Sequence, residues 1–207
     1  MVREKRGIRL LLLPVAGLGI GCLLWLGYRL SGNVLGLKAG AVASLTPTPV
    51  SVDMWDAYRQ ARAAAQAQAP DAQLVSASAH WHGVSEDALL EGASNWTFVF
   101  HSSASSHSLD VVANAGGARV VNQAPAWVAP TVMAEGAWQA GPRDALLAFL
   151  ACGGRAFLGE HPQAVVDLHL SRNGGHSLAW TVVALDPGDR SVLSLLVDAE
   201  TGQVLPD

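Results

Sequence analysis

The sequence predicts an α+β protein: an N-terminal transmembrane helix followed by two repeated units, each a helix packed on a small antiparallel sheet. Three observations predict it. An apolar run fills residues 10–28. Beyond residue 50, each half of the chain opens with a segment of helical period and continues into strands with alternating apolar residues. Two tryptophans, Trp96 and Trp180, sit at matching places in the two halves. Asn114 follows the first by 18 residues and Asp198 follows the second by 18. Val120 and Val204 each follow their tryptophan by 24. Such order-preserving spacing is the mark of a duplication.

The expected layout is a cytoplasmic tail at 1–9, a transmembrane helix at 10–30, a linker at 31–50, a first unit at 51–127 and a second at 128–207. Leu10 to Tyr28 carries no charge, and about 20 apolar residues span a bilayer core. Trp25 and Tyr28 suit the membrane interface. Arg3, Lys5, Arg6 and Arg9 hold the N-terminus in the cytoplasm and direct the rest outside. A cleaved signal peptide fits less well, because small-x-small sites first occur at Ala39–Ala43, far beyond the apolar core. A lipoprotein signal at Cys22 fits less well too, because the apolar stretch runs on past it. Thr46-Pro47-Thr48-Pro49 makes the linker stiff and extended.

Half of the residues are apolar, enough for a packed core. The formal charge of −4 conceals an asymmetry. From residue 51 on there are seven Arg, no Lys and sixteen acids, a formal −9. A Lys-free acidic surface repels phosphate backbones, so nucleic-acid binding is excluded as a function class. Cys22 and Cys152 lie in different parts of the chain, and no disulfide is expected.

In the first unit, Asp53 to Gln68 is Ala-rich, with Met54, Ala57, Tyr58, Ala61 and Ala65 on one face and Asp53 or Ser51 as cap. The strand at 73–82 alternates Val75, Ala77, Ala79 and Trp81 with Ser76, Ser78, His80 and His82. Residues 95–102 place Trp96, Phe98 and Phe100 on one face, and 109–121 holds a third strand, with a turn at 114–117 and a fourth strand to follow. Glu86 to Ser94 reads as a long loop. In the second unit, Gly141-Pro142 opens a helix that Gly153-Gly154 closes. Strands follow at 164–171, 178–185 and 191–199.

The run Leu178-Ala-Trp-Thr-Val-Val183, a second strand at 192–197, and the turn Asp198-Ala-Glu-Thr-Gly-Gln-Val204 together resemble the end of a PepSY domain. The resemblance extends over residues 52–205. Its first copy departs from the pattern, since Val112-Ala-Asn-Ala-Gly-Gly117 lacks the acid and the Thr. The resemblance implies one helix on an antiparallel sheet per copy, a place outside the cytoplasm, no catalytic site, and a role in restraining proteases or other envelope partners. In the residues themselves, Asp198, Thr201 and Gly202 read as a turn in which the carboxylate accepts backbone N–H groups and Gly supplies positive φ.

Few residues point to chemistry. His80-x-His82 has a spacing that can chelate a metal, but a site needs a third ligand, for which the sequence offers only His101, His107 or His169, and exposed strand histidines are the plainer reading. Cys152 stands at a helix C-terminus, where the dipole opposes a thiolate, and is expected to be buried. The acids at Glu86, Asp87 and Glu91, and at Asp186 and Asp189, read as solvated loop residues. No nucleophile-elbow, zinc-protease or phosphate-loop motif occurs. The chain is therefore expected to be no enzyme and to take no cofactor. Trp127 and Trp138, in the stretch between units, either pack the units together or face a partner. The expected function is a membrane-anchored binding or regulatory module for an envelope protein, with a small-molecule or cell-wall sensor as the alternative.

Overall fold

A computed structural model describes residues 50–206 apart from 84, 135 and 174–176. The tail, the membrane segment and most of the linker expected at 1–50 lie outside the described residues. No helix among the described residues is long and apolar enough to cross a membrane.

The first half contains α1 (Met54–Gln68), β1 (Gln73–His82), α2 (Glu86–Glu91), β2 (Asn95–Ser102), β3 (His107–Asn114) and β4 (Gly117–Pro125). The second contains α3 (Pro142–Phe149), α4 (Arg155–Glu160), β5 (Val165–Asn173), β6 (Ser177–Leu185) and β7 (Val192–Asp198). All strand pairs are antiparallel, in the order β4-β3-β2-β1-β5-β6-β7. The class is α+β, as the sequence predicts. The two small sheets are one, however: β1 pairs with β5 from Ala77↔Leu170 to His82↔Val165. Each half by itself would leave the edge of its first strand unpaired, and edge-to-edge pairing satisfies both rows of backbone groups.

The starts of α1 and α3 are each fixed by a carboxylate. Asp53 accepts from the Trp55 and Asp56 amides at 3.0 and 3.1 Å, and Asp144 Oδ2 accepts from the Gly141 amide at 2.8 Å. Ala57, Ala61 and Ala65 are fully buried; methyl-sized side chains let α1 lie close against β2, β3 and β4. α3 packs on β6 and β7. Both helices cover the sheet face that carries Ala77, Trp81, Trp96, Phe98, Val166, Leu168, Trp180 and Val182.

The tryptophans occupy equivalent positions. Trp96 donates its indole N–H to the Val52 carbonyl at 3.3 Å, and Trp180 donates to the Ala140 carbonyl at 2.9 Å. Each acceptor immediately precedes the N-cap of its own half's helix. The 24-residue offset of Val120 and Val204 does not extend to pairing: Val120 pairs with Val111, and Val204 bridges to Val197.

Three local expectations are corrected. A register shift between Leu74 and Ser76 turns Leu74 inward and leaves Val75 half-buried. The stretch after β1 is not all loop, since Ser85 caps the short α2. Gly153-Gly154 does close the helix that Gly141-Pro142 opens, for the backbone leaves helical geometry at Cys152 and Gly153. Gly153 takes φ +110° in a wide turn, and helix resumes at Arg155. Cys152 in that turn is exposed rather than buried.

Candidate functional site

The turn over Asp198 is built as the sequence implies. Asp198 Oδ1 accepts from the Thr201 amide at 2.8 Å, the Glu200 amide at 2.9 Å and the Thr201 hydroxyl at 3.1 Å. Gly202 has φ +73° and donates to the Asp198 carbonyl. The Thr201 amide above all, then the Glu200 amide and Thr201 hydroxyl, hold the Asp198 carboxyl below its ordinary pKa. This geometry is structural. After the turn, the chain lies back on β7, with the Leu205 amide donating to Leu196 and Asp198 donating to Gln203. Part of that outer edge is thereby covered.

The opposite edge is different. Among the described residues, no strand pairs with the outer side of β4. Val121 on β4 is 49% exposed, and just past its end Trp127 is 95% exposed and Val128 83%. Trp138, the other tryptophan between the halves, is buried and offers no surface to a partner. It stacks on Trp55 at 5.5 Å and meets Tyr58 edge-on, both on α1. Packing therefore accounts for Trp138 and not for Trp127.

His80 and His82 are exposed on the sheet face without helices. Their Nε2 atoms lie 2.7 Å apart, and His80 Nδ1 contacts Asp167 Oδ1 on β5. A carboxylate only accepts, so Nδ1 of His80 carries its proton and Nε2 accepts from His82. His169, two residues beyond Asp167, is exposed by area, yet partial desolvation by its neighbours lowers its pKa. His101 is buried and His107 half-buried at the far end of β2 and β3. No third ligand atom completes a set around His80 and His82 among the described residues.

Another cluster escaped the sequence reading. His161, ahead of β5, directs Nδ1 at Asp186 Oδ2 at 2.7 Å and lies 3.7 Å from Asp189 Oδ2. Asp186 and Asp189 belong to the β6–β7 turn and were expected only to solvate it. Their turn residues, Asp-Pro-Gly-Asp, were legible; their convergence on a histidine 25 residues upstream was not. The Ser191 amide first, then its hydroxyl and the charge of His161, keep the Asp189 carboxyl below its ordinary pKa.

Beneath α1 lies a cavity of about 390 Å³, with Tyr58, Phe100, Met133, Arg62 and Arg172 in its wall. Two of the seven guanidiniums of an acidic domain thus border one concavity. No protein-family model, no curated protein and no solved structure matches this chain.

Proposed function

We propose that the chain is a membrane-anchored, extracytoplasmic module of PepSY type, formed by tandem units at 51–127 and 128–207, that binds and restrains an envelope protein such as a protease. It acts as a binding module and not as an enzyme. One observation carries the reading: the open outer edge of β4 ends beside Trp127 and Val128, which are 95% and 83% exposed. An extended segment of a partner that adds to β4 gains main-chain hydrogen bonds, and an exposed indole beside that edge supplies an anchor for its side chains. The equivalent hydrogen bonds of Trp96 and Trp180 support the tandem arrangement. The formal −9 from residue 51 on favours a protein partner over nucleic acid or anionic headgroups.

A photoreactive residue in place of Trp127, in the full-length chain within its native envelope, tests this. The expected result is one discrete protein adduct, absent when the same group replaces exposed Leu147 on α3. Lipid adducts alone, or the same products from both positions, would overturn the reading.

The cavity favours a second reading, a sensor for a small anionic molecule held by Arg62 and Arg172. Thermal stabilisation of the full-length protein by small carboxylates, lost in Arg172→Gln, distinguishes it.

A further inference from the structure

The turn that precedes the first strand of each half is latched to a hairpin turn in the same half. In the first half, Asp71 accepts from the Ser102 hydroxyl at 2.7 Å, at the end of β2, and from the Ala104 amide at 2.8 Å, in the β2–β3 turn. One carboxylate meets two neutral donors, and every group at that latch is matched.

The second half places His161 opposite the β6–β7 turn, and here the groups do not match one for one. His161 Nδ1 has one proton to give, and Asp186 Oδ2 already receives it at 2.7 Å. Asp189 Oδ2, at 3.7 Å, is too far for a hydrogen bond. It adds a second carboxylate oxygen to a contact that needs only one. These three atoms all lie within 4.8 Å of one another.

Each of the three groups is also held in place from behind. Asp186 Oδ1 accepts from the Gly188 amide at 2.7 Å, and Asp189 Oδ1 from the Ser191 amide at 2.8 Å. The His161 ring lies against Phe157, centroids 4.5 Å apart. Its backbone is tied at both ends, to Phe157 and to Ala164. The side chains of His161 and Asp186 are each only 16% exposed. Outer contacts of this kind fix ligand orientation before an ion arrives.

We propose that His161 Nδ1, Asp186 Oδ2 and Asp189 Oδ2 form a three-ligand site for a divalent transition-metal ion, Zn²⁺ in the first instance, which clamps the β6–β7 turn to the start of β5. Tetrahedral ligands roughly 2.1 Å from zinc stand about 3.4 Å apart. The two distances from His161 Nδ1, 2.7 and 3.7 Å, fall on either side of that spacing. Bringing those two distances to it requires shifts of about half an ångström. One imidazole with two carboxylates suits zinc and leaves a position for water. Binding displaces the Nδ1 proton of His161 to solvent, so affinity falls as pH is lowered.

The test uses the full-length protein in detergent, stripped of metal, with His80→Ala and His82→Ala to remove the other close imidazole pair. Zinc chloride is titrated into it calorimetrically at neutral pH. Asp189→Asn keeps the oxygen that accepts from Ser191 and removes the charge; His161→Gln removes the ligand nitrogen. The expected result is one zinc per chain, with affinity reduced at least about tenfold by either substitution, and with metal-free Asp189→Asn still folded, its melting temperature only slightly below the parent's. No heat of binding, or an affinity that neither substitution alters, overturns the site.

Discussion

The indole of Trp96 meets that of Trp180 edge-on, with ring centroids 6.4 Å apart and planes at 68°. The two side chains come from β2 and β6, on opposite sides of the β1–β5 join, and both are fully buried. This contact holds the halves together within one core. Trp96→Ala or Trp180→Ala is expected to destabilise the protein by about 3–5 kcal/mol each. The double substitution should fall short of the sum by roughly 1 kcal/mol, the coupling of an aromatic pair. Urea unfolding of the four proteins measures it.

Gly154 is required by contact. A Cβ there would stand 2.4 Å from the Phe149 ring and 2.7 Å from the Phe149 carbonyl. Phe149 is fully buried and has nowhere to move. Gly154→Ala is expected to cost about 1–3 kcal/mol. Gly159, on α4, has no atom within 4 Å of its would-be Cβ. There, Ala should be neutral or stabilising by under about 1 kcal/mol. Thermal melts of the two variants, side by side, separate contact from helix propensity.

The Asp198 turn gives stability an acid limit. Hydrogen bonds depress the native carboxyl pKa below its ordinary 3.8. The stabilisation is therefore complete above that value and is lost as pH falls through the lower native one. Asp198→Asn keeps an acceptor oxygen but cannot titrate, so its melting temperature should fall less steeply below about pH 4. Asp71, Glu86 and Asp189 are shifted in the same direction, and some acid dependence should persist in the variant.

Trp127 separates function from folding. At 95% exposure it contributes little to the core. Trp127→Ala should leave stability within about 0.5 kcal/mol of the parent, while removing the partner contact proposed at the open β4 edge. Denaturant midpoint and partner capture, measured on the same preparation, check both halves of the prediction.

Strands were legible where alternation was strict. The bounds of β1 and β2, and the inward set from Trp96 to Phe100, follow directly from the sequence. The same rule misplaced Val75, because one extra residue between Leu74 and Ser76 reverses the inward side. Gly153-Gly154 reads as a helix end, and Gly153 at φ +110° breaks the helix there. Gly154 also makes room for the Phe149 ring, a contact with no sequence signal. α2 is too short to show a period. The join of β1 to β5 and the meeting of His161 with Asp186 and Asp189 are products of topology. Nothing local to those residues announces a partner 25 to 90 positions away.

Both the open edge at β4 and the latch at His161 depend on the halves sharing one sheet. Amide hydrogen exchange of the full-length protein tests that directly at Ala79 and Leu168, which face each other across the join. With β1 and β5 central, their amides should be among the slowest in the chain and should exchange together, through global unfolding. Rapid exchange along β1 and β5, beside protected β2 and β6, would contradict a single sheet.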